Sequence, residues 1–251
     1  MEGQRAFPTM NQPLLILFAL DMEAEGVVSR LEDPDESQHG SLRLTHGRLA
    51  GVEVVVASSG VGRALAHQAT LELVSHLQPS WVISAGFAGG VVSHVHRGDI
   101  VLANSVTDEA QNILAIDLNM SEAGTPPGLH VGRLVTVNDV KERPQDKQAL
   151  AASHKAIAVD MESFASANVC AQKEIRFMVV RVITDEVDEQ LPPEVRHLLA
   201  QDSTAGLWGA VTGAAIGRPS SLKDLWTLRK NAVTASERLG QFLSSMIQQL
   251  R

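Results

Sequence analysis

The sequence predicts an α/β protein, a three-layer sandwich with a mixed, mostly parallel central sheet flanked by helices, and three observations lead there. Short β-rich runs alternate with helical patterns along the chain, the order that a sheet with crossover helices requires. Several of the runs are apolar throughout rather than alternating, as strands covered on both faces must be. The 251 residues, 44% of them hydrophobic, are enough for a full core without requiring a second unit, so residues 1–251 read as a single domain.

Taken in order, "PLLILFAL" (13–20) reads as a buried first strand. It has no basic leader or small-residue cleavage site, and acids follow it at once, so it is not read as a targeting segment. Glu23 then falls near the start of a helix. "EDPDESQHG" (32–40) reads as a flexible polar loop. Strands are expected over 42–49 and 52–59. A helix follows over 62–77, with Leu65, Ala69, Leu73 and Leu77 at helical spacing. "WVISAGF" (81–87) is a strand running into a glycine turn at Gly86, Gly89 and Gly90, and further strands are expected over 99–106, 133–139, 156–161 and 176–184. "ESFASANVCAQKE" (162–174) reads as a helix that packs Cys170. The stretch 221–250 reads as a long amphipathic helix with Ser221 and Asp224 as a capping pair. Between these, "AGLWGAVTGAAIG" (205–217) spaces Gly209, Gly213 and Gly217 four apart. That fits a close helix packing or a subunit contact, or a mobile apolar wall for a lipid-sized group, and it is too short to span a bilayer.

Composition excludes whole classes of function. A net charge of −8 and a pI near 5.6, with no clustered Lys or Arg, argue against nucleic acid as a partner. One cysteine permits no intrachain disulfide, which points to a reducing, cytoplasmic compartment. His94 and His96 have no third ligand in view, so neither a metal nor an organic cofactor is expected. Asp99 in "RGD" reads as a residue that fixes its loop.

In such sheets ligands bind beyond the carboxyl ends of the strands. Glu23, the glycine turn, Glu162 and Asp185 all fall there. Each acid has a structural reading, since Glu23 and Glu162 suit a helix's first turn and Asp185 could cap a helix; their convergence favours a site. A dinucleotide fold is the obvious competitor, because "SSGVGRALA" places Gly60 and Gly62 between a strand and a helix. Leu65 occupies the third glycine position, no acid ends the next strand, and no Walker sequence is present.

With "SAGFAGG...RGDIV", "AVDMES" and "VVRVITDEVD" in this order, the chain resembles the purine nucleoside and uridine phosphorylase superfamily, nearest its methylthioadenosine/S-adenosylhomocysteine nucleosidase branch. The resemblance implies the nucleoside phosphorylase-like fold, a small nucleoside substrate and a homodimer or larger symmetric oligomer. It implies that Glu162 holds the ribose hydroxyls, that Met161 packs on the sugar, that Asp185 protonates the purine at N7, and that Glu23 orients the attacking water. It places Gly86, Phe87 and Ala88 against the substrate, and Asn138 and Val140 where the methylthioadenosine enzymes carry a base-binding Phe. "LPPEV" and "GRPSSLKDLWTLRKNA" further resemble the hopanoid-biosynthesis branch, which removes adenine from an adenosyl-lipid.

The chemistry suits these residue types. Breaking a glycosidic C–N bond builds positive charge on the sugar and negative charge on the base, so a carboxylate near the ribose and a proton donor at the base are both useful. Water is the expected nucleophile, because Ser84 and Phe87 stand where the superfamily's phosphorylases carry phosphate ligands and no fixed positive charge appears at the turn. Arg63, at a helix N-terminus, leaves phosphorolysis as the alternative, and a non-catalytic nucleoside-binding protein is the alternative from another class.

Overall fold

The computed structural model describes residues 12–118, 125–191 and 219–249. Its elements are β1 (Leu14–Phe18), α1 (Asp21–Val28), β2 (Glu32–His39), β3 (Leu42–Leu49), β4 (Val52–Ser58), α2 (Arg63–Leu77), β5 (Trp81–Gly90) and β6 (Ile100–Asp108), followed by β7 (Ile113–Ala115), β8 (Leu129–Thr136), α3 (Pro144–His154), β9 (Ala158–Asp160), α4 (Ser163–Gln172), β10 (Arg176–Asp185) and α5 (Pro219–Gln249).

The continuous apolar run of β1 explains its place at the centre. Leu14, Ile16 and Phe18 face a core shared with Val27 of α1 and Leu239, Leu243 and Ile247 of α5. Leu15 and Leu17 face the opposite core with Ala69, Leu73 and Val74 of α2 and Cys170 of α4. Both faces are therefore covered, and each fully buried Leu, Ile or Phe contributes about 1.5–3 kcal/mol. Burial also pushes the Cys170 thiol up to about 12, leaving it an inert core residue.

The expected α/β architecture, a mixed sheet flanked by helices, is what forms. Parallel pairings run through β4-β1-β5-β10 and through β6-β8-β9; β3 and β2 extend the first run antiparallel at one edge. On the other side the strands run β5-β9-β8-β6-β10, and β10 pairs again with β5, so these five close into a ring. Ala88, Val101, Leu134, Ala158, Val179 and Ile183 share one core of this region with Phe164 of α4. Closure depends on β5 changing neighbours. It pairs with β1 as far as Ser84 and with β9 from Gly89, so residues 85–88 have no strand beside them on that side.

Several sequence expectations need correction. The glycine turn is strand, since β5 continues to Gly90. Residues 32–39 form β2 rather than a polar loop: the segment is exposed, pairs through its main chain with β3, and needs no apolar face because it lies at the sheet edge. The strand expected over 133–139 begins earlier, at Leu129, and ends at Thr136, whereas that expected over 156–161 contracts to three residues. Helix α5 starts at Pro219, so Ser221 lies inside it and is not its cap. The glycine-spaced stretch 205–217 falls outside the described residues.

Helices α1 and α5 cross in close backbone contact. A Cβ at Gly26 would lie 2.0 Å from the Ser236 carbonyl oxygen, and one at Gly240 would lie 2.1 Å from that of Gly26. The Gly26 N–H donates to Ser236 Oγ (2.7 Å), which in turn donates to the Glu23 carbonyl (3.1 Å). Gly240→Ala is therefore expected to separate the two helices and destabilise the fold by roughly 1–3 kcal/mol or more, read as a lowered thermal unfolding midpoint by circular dichroism.

Candidate functional site

The open stretch of β5 creates the site. The Phe87 N–H has no strand partner on its free side and donates instead to Glu23 Oε1 (2.8 Å). Glu23 Oε2 accepts from the N–H groups of Ala19 and Leu20 (both 3.0 Å). One oxygen thus caps the first turn of α1 while the other reaches the sheet, so the capping and site readings of Glu23 both hold. Burial pushes its carboxyl above the usual range, against the opposing pull of the Phe87 N–H and the nearby Arg181 guanidinium.

Glu162 approaches from the β9–α4 junction. Its Oε1 accepts the Gly62 N–H (2.7 Å) just ahead of α2, and its Oε2 accepts from Met161 N–H (3.3 Å). Burial, together with the like charges of Asp160 and Glu23, pushes its carboxyl up to about 8. Glu23, Ser84, Gly86, Phe87, Glu162 and Arg181 line one small cavity of about 10 Å³, near the least space that holds a single water.

Asp185 ends β10 beside Gly89 and is buried. No described helix follows it directly, so it is not a helix cap. Its Oδ2 accepts from Lys147 Nζ (2.5 Å) and its Oδ1 from Thr184 Oγ1 (3.1 Å). Burial raises its pKa and outweighs the neighbouring Lys147 charge. The glycines serve the acids directly: a Cβ at Gly86 would lie 3.0 Å from Glu23 Oε1, and one at Gly89 would lie 2.9 Å from Asp185 Oδ2. Glycine is required there to admit two carboxylates beside the strand.

Two buried ions were not read from the sequence. Arg181, in the middle of apolar β10, lies directly behind β5. It donates to the Ser84 carbonyl (2.9 Å), to Ser84 Oγ (2.9 Å), to Ser163 Oγ (2.8 Å) and, through Nε, to Asp160 Oδ2 (3.0 Å), with which it forms an ion pair. A fixed positive charge does stand behind the glycine segment, contrary to expectation, but Asp160 offsets it. The signal was present in "VVRVIT" and "AVDM", because a charge inside a doubly covered strand must have a buried partner. Lys147 is the second such ion, on α3, where no apolar stripe announces a helix.

Other sequence candidates are placed differently. Arg63 at the start of α2 turns to Asp108 Oδ2 (3.4 Å) and stacks over Phe164. The nearby Gly62 N–H is already taken by Glu162, so the expected anion position is filled by the protein's own carboxylate. Asn138 is exposed and donates its side-chain amide to Glu109 Oε2 (2.6 Å), while Val140 is half-buried; neither lines the cavity. Ala88 is buried and Met161 partly so. Asp99 does fix its loop, accepting from the His96 N–H (2.9 Å) and pairing with His130 Nε2 (2.8 Å). His96 faces Glu186, and among the described residues no three His, Cys, Asp or Glu side chains group as a metal ion would need.

An α/β ring-and-arm fold with carboxylates gathered at the fork of its central strand defines a class of small-molecule site, and comparison gives the family. Residues 13–206 match the phosphorylase superfamily, and the chain belongs to it. It is 28% identical over 194 residues to the 5'-methylthioadenosine/S-adenosylhomocysteine nucleosidase of Aeromonas salmonicida, covering 68% of this chain and 84% of that one. The Bacillus thuringiensis nucleosidase of the same name is 26% identical over 68% and 85% of the two chains. The fold is similar to that of the Streptococcus pneumoniae nucleosidase solved with a transition-state inhibitor, with a TM-score of 0.73 at 18% identity over 96% and 100% of the chains. Futalosine hydrolase of Helicobacter pylori has it too, with a TM-score of 0.66 at 20% identity over 95% and 99%.

The raised Glu162 carboxyl has a consequence for stability. From about pH 4.5 to about 8 the folded chain keeps a proton there that the unfolded chain has released, so stability falls as pH rises through that window. Replacing Glu162 by Gln should flatten this slope, seen as a smaller drop in unfolding midpoint between pH 5 and pH 8 than in the unaltered protein.

Proposed function

We propose that this chain hydrolyses the N-glycosidic bond of an adenine nucleoside carrying a 5' substituent, releasing free adenine. The observation that carries the reading is the placement of Glu23 and Glu162 at the unpaired stretch of β5 and of Asp185 against Gly89 just beyond it. The nucleosidase relatives and their inhibitor-bound structures support the same chemistry.

In this reading Glu162 bonds the ribose hydroxyls, most strongly once its carboxyl has ionised, so substrate binding strengthens as pH rises toward about 8. Glu23, with Ser84 and Arg181 lining the same cavity, orients a water. The water oxygen bonds to the anomeric carbon as the carbon–nitrogen bond breaks and its electron pair passes to the base. Glu23 takes the proton lost by water, and Asp185 delivers one to the purine ring nitrogen. Burial that favours the neutral carboxyl at Asp185 is what a proton donor at neutral pH needs. Substrates of the size of methylthioadenosine, S-adenosylhomocysteine or an adenosyl-lipid such as adenosylhopane are all in scope. We further propose a homodimer acting in the cytoplasm.

Water rather than phosphate is favoured by charge. Phosphate brings close to two negative charges that a buried site must offset. Arg181 is already paired with Asp160, Arg63 faces Asp108, and the N–H ahead of α2 holds Glu162.

Asp185→Asn is expected to lower adenine release by on the order of 100-fold or more while the fold survives, because the amide carries no mobile proton. Retention of near-normal rates on methylthioadenosine would remove Asp185 from the mechanism. Adenine release should also proceed equally in dialysed buffer and with added phosphate; a strict phosphate requirement with formation of a sugar 1-phosphate would establish phosphorolysis instead.

A further inference from the structure

Lys147 is fully buried, and its ammonium group spends three donors within the protein. It bonds Asp185 Oδ2 (2.5 Å), the Glu186 carbonyl (2.7 Å) and the Glu189 carbonyl (3.1 Å). A lysine in this position is expensive to bury and persists only where its charge and its donors are satisfied. The other charged groups of the region are engaged elsewhere. Glu186 accepts from the Arg97 N–H and faces His96, and Glu189 pairs with the Arg97 guanidinium, which also bonds the Thr184 carbonyl. On α3 itself Asp146 is held by exposed Arg143. The carboxylate left to Lys147 is Asp185.

We propose that Lys147 is a positioning residue for Asp185: its ammonium group fixes the carboxyl and the following 185–189 turn in one arrangement, and sets the pH range over which Asp185 carries a proton. Two opposed forces make this control possible. Burial beside Gly89 and Val159 favours the neutral acid, and an adjacent cation favours the ionised one. Removing the cation leaves burial and the Glu189 charge opposed only by the Thr184 hydroxyl, so Asp185 holds its proton to higher pH. The same removal loosens the turn, so the acid is presented less accurately to the leaving base. The inference rests on the nucleosidase reading.

The test is the pH profile of kcat/KM for adenine release from methylthioadenosine. Lys147→Gln keeps a donor for the turn carbonyls but lacks the charge. Its basic limb is expected to move upward by about one pH unit or more, with kcat at pH 7 lowered about tenfold and KM changed far less. Lys147→Arg keeps the charge with a different reach, and should leave the limb in place while lowering kcat. Circular dichroism melting confirms that each variant is folded; if the Gln variant is not, the Arg variant decides. A basic limb coincident with that of the unaltered protein in folded Lys147→Gln overturns the role of Lys147, as does a displaced limb or a normal kcat in Lys147→Arg. If the unaltered protein releases no adenine from any 5'-substituted adenosine, the nucleosidase reading falls and this inference with it.

Discussion

The buried pair between Arg181 and Asp160 is the constraint on which the rest of the site depends. Asp160 ends β9 and accepts from Thr136 of β8 and from both the backbone and the hydroxyl of Ser163 at the start of α4. Arg181 lies in β10 and binds Ser84 of β5 through its carbonyl and hydroxyl. Four strands and a helix therefore meet at one ion pair. Such a pair adds little net stability compared with a well-packed apolar core, but leaving either partner alone costs about 3–5 kcal/mol. Its effect is on geometry. The two groups meet in the register in which β9 reaches β5 at Gly89 and residues 85–88 stay unpaired on that side.

Charge is balanced locally around this centre. Glu23 and Glu162 share their neighbourhood with Arg181, and Asp185 has Lys147. Backbone N–H groups supply the rest, from Phe87, Ala19 and Leu20 to Glu23 and from Gly62 to Glu162. The two halves of the site are thus supported by separate cations on separate elements. Glu23 and Glu162 draw on β10 and Asp185 on α3, an arrangement in which each can be tuned without unbalancing the other.

The sequence made the doubly covered strands and the acids that follow them visible, because both signals are local. Apolar continuity in "LLILF" and "FMVVRVIT" reports burial, and an acid directly after a strand or in a helix's first turn stands out by position. What stayed hidden was non-local. Ring closure rests on strand pairings between distant segments, and β2 has no apolar pattern to betray it because its pairing is carried by the main chain. Lys147 looks like any surface residue in "PQDKQALAASH"; only the fold reveals that it points inward to Asp185. The glycines were read as room for substrate, whereas Gly86 and Gly89 first make room for the protein's own carboxylates.

The contact between α1 and α5 ties the beginning of the described chain to its end. Ser236 bonds both the Gly26 N–H and the Glu23 carbonyl across 210 and 213 residues of sequence. A ribosome makes Ser236 213 residues after Glu23, so the helix that carries this carboxylate waits for the partner that seats it. Closing so long a loop has an entropic cost that grows only slowly with length, but it places this contact among the most non-local in the fold. The nascent chain consequently has no seated Glu23 until Ser236 has been made, 213 residues after it.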